Sequence, residues 1–392
     1  MSRQPSTSPD EVDPSFQRWA GAGLAELTGP QDGPGLGPPP GLVARLDAIC
    51  ERIEVASGRV GTSIRIDGLA TLAERAQLMG LRRRGRVSCG GACHLVRCRD
   101  GWFAVSLSRE DDWELLPAWI GVSAGSSHEW PELHDRCAQR AVAEVVARGA
   151  LLGLPIASLA ETSEGHVADA ASWARPPATD DIDASRPMRV VDLSSMWAGP
   201  LCGAVLASAG AEVVKVESVG RPDGTRLGSP EHYARLNGAK ELRSLDLRTP
   251  DGLGELRSLL ATADVVIESS RPRALRQVGI EAEDLLAATA GPRVWISITG
   301  HGRVGDGASR VAFGDDAAVA GGLVAWWDGA PTFCGDAIAD PLTGLVAAAA
   351  GLEAFAGGHR GLLDVAMARV AAHFAGPAEP DRRSPGGTPC PA

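Results

Sequence analysis

The chain has 392 residues, 44% of them hydrophobic, and a formal net charge of −11. That supplies apolar material for one large or two smaller cores, while the acidic balance excludes a broad electrostatic footprint for nucleic acid, so any polyanion must meet a local cluster of cations. Eight cysteines lie scattered without a framework, no signal-peptide pattern opens the chain, and the longest apolar candidate, 342–356, is broken by Gly351 and Glu353; a soluble, cytoplasmic protein without a membrane span is expected.

In chain order, residues 1–40 read as a flexible N-terminal segment that ends in the Pro/Gly-rich stretch 29–40. A first unit, 41–172, follows. Within it 69–84 has a helical pattern ending in three arginines, and 93–97 and 102–108 are strand-like runs about Asp100-Gly101, a hairpin signal. Stretches 113–120 and 137–148 read as helices. Residues 173–188, rich in Pro and Asp, form a linker.

From 189 to 375 strand and helix alternate. Strands are expected at 189–193, 212–216, 242–246, 264–268, 293–299 and 361–365. Helices fall at 200–209, 252–261, 272–278, near 315–325 and at 340–356. Such alternation implies βαβ crossovers and a parallel sheet, hence an α/β fold. The tail 376–392 is expected to be disordered.

Only two of the 38 basic residues are lysines, Lys215 and Lys240. Where nearly every cation is a guanidinium, a compact ammonium suggests a specific need. The strand at 189–193 runs into Ser194-Ser-Met-Trp-Ala-Gly-Pro200 and then a helix of small residues. Small residues there let a ligand approach the backbone, and the helix start offers free N–H groups to an anion.

Four segments in fixed order carry a resemblance. They run from Val190-Val-Asp-Leu193 through Ala198-Gly-Pro200, then Gly210-Ala-Glu-Val-Val-Lys-Val-Glu217 with Asp223-Gly-Thr-Arg226. Asn237-Gly-Ala-Lys240 with Ser244-Leu-Asp-Leu247, and Asp264-Val-Val-Ile-Glu-Ser-Ser-Arg271 onward, complete the set. Together they resemble the family III CoA-transferases, which include formyl-CoA:oxalate transferase, carnitine-CoA transferases and α-methylacyl-CoA racemases. The resemblance implies a Rossmann-like large domain over 189–375 that binds CoA, with a smaller α+β domain. It also implies an interlocked dimer, as a homodimer or as a heterodimer with a homologue. Residues implied to bind CoA are Ala198, Gly199, Lys215, Arg226, Lys240, Ser269, Ser270, Arg271 and Arg276, with Arg273 as a further cation for the phosphates.

The first unit resembles the same family from its other end. Asp100-Gly-Trp-Phe-Ala-Val-Ser-Leu107 and Ala147-Arg-Gly-Ala-Leu-Leu-Gly-Leu-Pro155 look like small-domain segments that ordinarily follow the CoA-binding half. A circularly permuted order is expected; two truncated halves completing each other between subunits is the alternative.

The family's chemistry implies an aspartate that attacks the acyl-CoA thioester and passes CoA to an incoming carboxylic acid. Ala312-Phe-Gly-Asp-Asp-Ala317 offers Asp315 and Asp316, and Asp340 matches a second acid further on. Asp315 stands where the racemases carry histidine, which argues against epimerisation of a 2-methylacyl-CoA. Val319 replaces an expected glutamine, so a catalytically silent CoA-binding subunit is the rival reading.

No metal is expected. Cys89, Cys93, His94 and Cys98 lack paired knuckle spacing, and a strand would point Cys93 and Leu95 to one face and Val96 and Cys98 to the other. The glycine-rich stretch 302–307 lacks a phosphate-loop lysine and reads as a loop able to close over the acyl site.

Overall fold

The computed structural model describes residues 13–122, 129–162, 171–174, 178–179, 186–271, 273–288 and 291–377. Six parallel strands form its centre. They are β6 (Arg189–Asp192), β7 (Glu212–Ser218), β8 (Glu241–Leu245), β9 (Val265–Glu268), β10 (Val294–Thr299) and β13 (His359–Ala366), in the spatial order β13-β10-β9-β6-β7-β8. All six expected strands form, and β6 pairs with β7 on one side and β9 on the other. The chain therefore reverses its direction of travel across the sheet between β6 and β9. Loops leaving the carboxyl ends of those two strands diverge there and open a crevice.

The helix Ala339–Ala356 is apolar on every side, with most of its residues buried. It packs against Ala198–Ser208 and Leu42–Val60 in one core. Close approach needs glycine: a Cβ at Gly344 would come within 2.7 Å of the Ala198 carbonyl, and one at Gly351 within 2.7 Å of Ile296. Among the described residues, no helix is long and apolar enough to cross a membrane.

Two of the expected boundaries move. Residues 13–40 are ordered: Asp13 caps the helix Pro14–Gly21, the turn Leu24–Leu27 follows, and Trp19, Leu24 and Leu27 enter the core. Residues 1–12 lie outside the described set. The helices Leu42–Val60 and Gly68–Met79 also bury their apolar faces in the large domain. The small lobe therefore starts near residue 87, because an amphipathic helix joins whichever apolar surface accepts its stripe.

That lobe is an antiparallel sheet of β1 (Cys93–Arg97), β2 (Trp102–Ser106) and β3 (Ile156–Ser158), covered on one face by Val142–Leu151 and neighbouring helices. Its faces separate as the alternation predicts, with Val96 and Cys98 in the lobe's own core and Cys93 and Leu95 against the large domain. The linker also contributes strands: β4 (Ser172–Trp173) and β5 (Ala178–Thr179) pair antiparallel with β13. The expected helix near 315–325 is the shorter Gly314–Ala320, followed by a hairpin of β11 (Val324–Trp327) and β12 (Ala330–Phe333). Asp328 and Gly329 both adopt positive φ, the two-residue hairpin turn that an Asp-Gly pair favours. The glycine-rich stretch becomes a single 3₁₀ turn, Gly305–Ser309. All but the first two residues of the 376–392 tail lie outside the described residues.

Candidate functional site

The loop after β6 is tied on one side to the loop after β9 and on the other, through Trp197 and Arg75, to a group of acids. The loop is 194–197, which leaves β6 and enters the helix Ala198–Ser208. Ser195 N–H donates to the Ser269 hydroxyl at 3.1 Å, fastening it to the loop after β9. Met196 N–H donates to Asp223, and Met196 itself holds φ 71°, a conformation non-glycine residues seldom adopt. Gly199 is required at the helix start, since a Cβ there would collide with Ser194.

The two lysines lie beneath this loop, not in the crevice. Their side chains have no exposure. Lys240 Nζ donates to Asp192 at 2.8 Å, to the Pro200 carbonyl at 2.7 Å and to Asn237 at 2.9 Å. Lys215 donates to the Ser194 carbonyl and lies 3.4 Å from Asp223. Three donors on Lys240 meet three acceptors, so no donor is left for a phosphate. Lys215, with no exposed side-chain surface, is equally out of reach, so the expectation of direct phosphate contact is corrected for both residues. The rarity of lysine keeps its physical meaning: a Cβ on Gly203 would already sit 2.9 Å from both Asp192 and the Lys240 ammonium, leaving no room for a guanidinium. Burial opposes ionisation of Asp192, but Lys240, Lys215 and the hydrogen bonds outweigh it and hold its pKa below the usual range.

Other expected cations are also spoken for. Arg226 forks onto Glu217 and stacks 4.2 Å from the Tyr233 ring centroid. Against burial, Arg226, Tyr233 and the Asp223 N–H pull Glu217 down to about 2. Arg276 pairs with Glu281 at 2.9 Å. Ser270 donates to Glu268.

Arg271 differs from these. Its pKa is lowered by desolvation and then by Arg273, Arg221 and Arg109, with no carboxylate acting against them. Arg221, Arg271 and Arg273 have no carboxylate partner among the described residues. Arg109, from the small lobe, is held by Asp112 at 2.8 Å. Uncompensated guanidinium groups this close repel one another, and an anion between them would relieve that cost. Arg221 was invisible in the sequence because nothing distinguishes it there from the other arginines.

At the acidic end, the helix Gly314–Ala320 presents Asp315 and Asp316. Asp316 has no exposure and is used up by structure. It accepts from the Ser106 hydroxyl at 2.7 Å, across the lobe interface, and from Phe313 N–H at 3.1 Å. Burial pushes its pKa up to about 7. Ser106→Ala would leave that buried oxygen only the Phe313 N–H, and a loss of about 1–3 kcal/mol in unfolding free energy is expected by denaturant titration.

Asp315 and Asp340 are half-buried. Asp315 accepts from Ala337 N–H at 3.0 Å and from Ser88. Ala337 sits at φ 41°, a strained geometry that turns its N–H toward the acid. Asp340 stands in the first turn of Ala339–Ala356 and accepts from Gly314 N–H. A side chain at Gly314 would strike its carboxylate. Burial, reinforced by neighbouring carboxylates, raises both acids to about 7.

Asp336, fully buried, takes the only guanidinium fork here, Arg75 at 2.6 and 2.8 Å. Arg75 comes from Gly68–Met79 and lies 5.1 Å over the Trp197 ring. His232 meets the same ring edge-on at 5.0 Å, with both nitrogens unpartnered among the described residues. Trp197 thus ties the loop to the acidic end. Arg75 was missed because it lies 240 or more residues from every acid it serves except across the fold. Val319, where glutamine was expected, is buried against β1 and β2.

The fold is that of a doubly wound α/β protein that carries, among the described residues, three arginines without carboxylate partners after β7 and β9 and a cluster of raised carboxylates. The particular family follows from sequence comparison: CoA-transferase family III matches residues 186–391, and the chain belongs to it. Succinyl-CoA--D-citramalate CoA-transferase of Chloroflexus aurantiacus is 35% identical over 191 residues, 46% of each chain. Probable CoA-transferase Rv1866 of Mycobacterium tuberculosis is 24% identical over 360 residues, covering 72% of this chain and 44% of that protein. A CAIB/BAIF family protein from Brucella suis is 30% identical over 47% of this chain and 53% of that one, at a TM-score of 0.44. The chain spans about half the length of the curated relatives it matches.

Proposed function

We propose that the chain binds an acyl-CoA and transfers CoA between carboxylic acids through an aspartyl intermediate on Asp340. The observation that carries this is the loop 194–197, which is fastened to Ser269, two residues before Arg271, on one side and, through Trp197 and Arg75, to the acid cluster on the other. CoA offers a 3′-phosphate and a diphosphate to Arg221, Arg271 and Arg273, and a pantetheine arm long enough to follow the loop. Asp340 is preferred over Asp316 because it is half-open and lies in the first turn of an 18-residue helix, whose N–H groups favour developing negative charge.

In this reading a carboxylate oxygen of Asp340 attacks the thioester carbonyl. The C–S bond breaks and CoA thiolate departs, leaving a mixed anhydride. The thiolate then attacks the aspartyl carbonyl and releases the first acid, and the incoming acid reverses both steps. Each transfer conserves charge and needs no co-reactant.

Isothermal titration with CoA and acetyl-CoA tests binding, with dephospho-CoA as a control. Arg271→Ala and Arg273→Ala are each expected to weaken CoA by roughly tenfold to a hundredfold, since a charge-assisted hydrogen bond contributes about 1.5–3 kcal/mol. Unchanged affinity in the double variant would remove the phosphate assignment. Hydroxylamine trapping of an enzyme–acyl adduct tests the chemistry. The buried Val319 favours the rival, a silent CoA-binding subunit; tight binding without any trapped adduct would select it.

Segment order is part of the proposal. The permuted arrangement places both halves of one family unit in this chain, and an interlocked homodimer or a heterodimer with a homologue remains the expected assembly. Sedimentation of the purified chain distinguishes these from a monomer.

A further inference from the structure

We propose that Asp315 and Asp340 hold one proton between them, so that Asp340 works as the ionised nucleophile while Asp315 keeps a carboxyl hydrogen for the thioester oxygen. This rests on the transferase reading above and assigns the neighbouring acid a separate task.

Charge counting at the acidic end leads to it. The groups facing the pair are Asp336 from the turn before Ala339–Ala356, Arg75 from Gly68–Met79, and Ser88 and Cys89 from the segment before β1. Asp316 lies on the same helix as Asp315, and His232 and Trp197 lie beyond Arg75. The Cys89 thiol is raised by burial and neutral, and burial lowers His232 to about 4, so it too is neutral. Among the described residues Arg75 is then the single cation facing the pair, and Asp336 already takes its fork. Two half-buried carboxylates remain, with no free positive charge between them. Asp340 takes the N–H of Gly314, the residue before Asp315, and Asp315 takes the N–H of Ala337, three residues before Asp340. The two acids therefore adjoin, and adjoining like charges titrate as a coupled pair.

The fixed donors divide the pair. Asp340 receives the Gly314 N–H and the start of an 18-residue helix, both of which favour its charge. Asp315 stands on a seven-residue helix beside the paired Asp336, whose charge repels a second anion. Asp315 is the member left protonated. In the first step its hydrogen bonds the carbonyl oxygen as negative charge develops there, and it returns unshared when the C–S bond breaks. Arg75 acts only through Asp336 and is a positioning residue.

The test reads carboxyl titration directly, without turnover. Carbon-13-labelled aspartate carboxyls are followed by NMR in the full chain, with Asp315→Asn and Asp340→Asn assigning the signals and thermal melts checking folding. The two signals are expected to titrate together in two steps with one proton retained near pH 7. Asp315→Asn should leave a single Asp340 step at least one pH unit lower. Arg75→Met should move the upper step at least one unit higher, and Arg75→Lys should restore part of it. Independent ionisation of both acids below pH 5, or an Asp340 midpoint indifferent to Asp315→Asn, overturns the proposal. Coupled titration in a chain that traps no acyl adduct would preserve the pair and remove the transferase reading; adduct formation with uncoupled titration would do the reverse.

Discussion

Asp340→Ala is expected to lower CoA transfer by roughly a thousandfold or more, because removing a covalent nucleophile leaves only binding and electrostatic help. Acetyl-CoA affinity should change little, since the proposed pose sets the phosphates against Arg221, Arg271 and Arg273, away from Asp340. Single-turnover kinetics and hydroxylamine trapping check this, and the adduct should vanish with turnover. Asp316→Asn behaves differently in this scheme. It keeps an acceptor for Ser106 and Phe313, so a modest stability loss with the adduct retained is expected. If instead Asp316→Asn abolished the adduct and Asp340→Ala spared it, the assignment of the nucleophile would be reversed.

The largest stability effect should come from the buried lysines. Lys240→Met leaves Asp192 without its partner in a site of no exposure, and breaking such a pair by removing one member costs about 3–5 kcal/mol. Chemical denaturation of the variant measures it. CoA affinity provides the contrast. A lysine that touched phosphate directly would lower affinity in a fully stable protein. A lysine that props loop 194–197 lowers stability first and affinity only in proportion to loop disorder. A stable Lys240→Met protein with CoA binding lost would contradict the interior role.

The fate of the lysines shows how sequence reasoning went partly astray. Their rarity was real information, and so was the inference that a compact ammonium is needed. Its direction was not legible. A phosphate and a buried carboxylate make the same demand on a cation, and only burial distinguishes them. The same holds for the arginines: Arg226 and Arg276 pair with acids nine and five residues away, whereas Arg271 and Arg273, with Glu268 as near in sequence, have no carboxylate partner among the described residues.

Alternation of strand and helix, fixed by period-2 and period-3.6 patterns, was enough to determine the α/β class, the six parallel strands and the segments that carry the family likeness. The family resemblance, and not periodicity, marked Asp315, Asp316 and Asp340 as the acids of interest. Those are local properties, written in neighbouring residues. Tertiary structure decided the rest. Folding brought Arg75 to Asp336 across 261 positions and Ser106 to Asp316 across 210. It sealed the lysines under a loop and left Arg221, Arg271 and Arg273 open. Which charge finds a partner depends on distance and burial, since Coulomb energy and desolvation are properties of position in space, and no spacing along the chain records either.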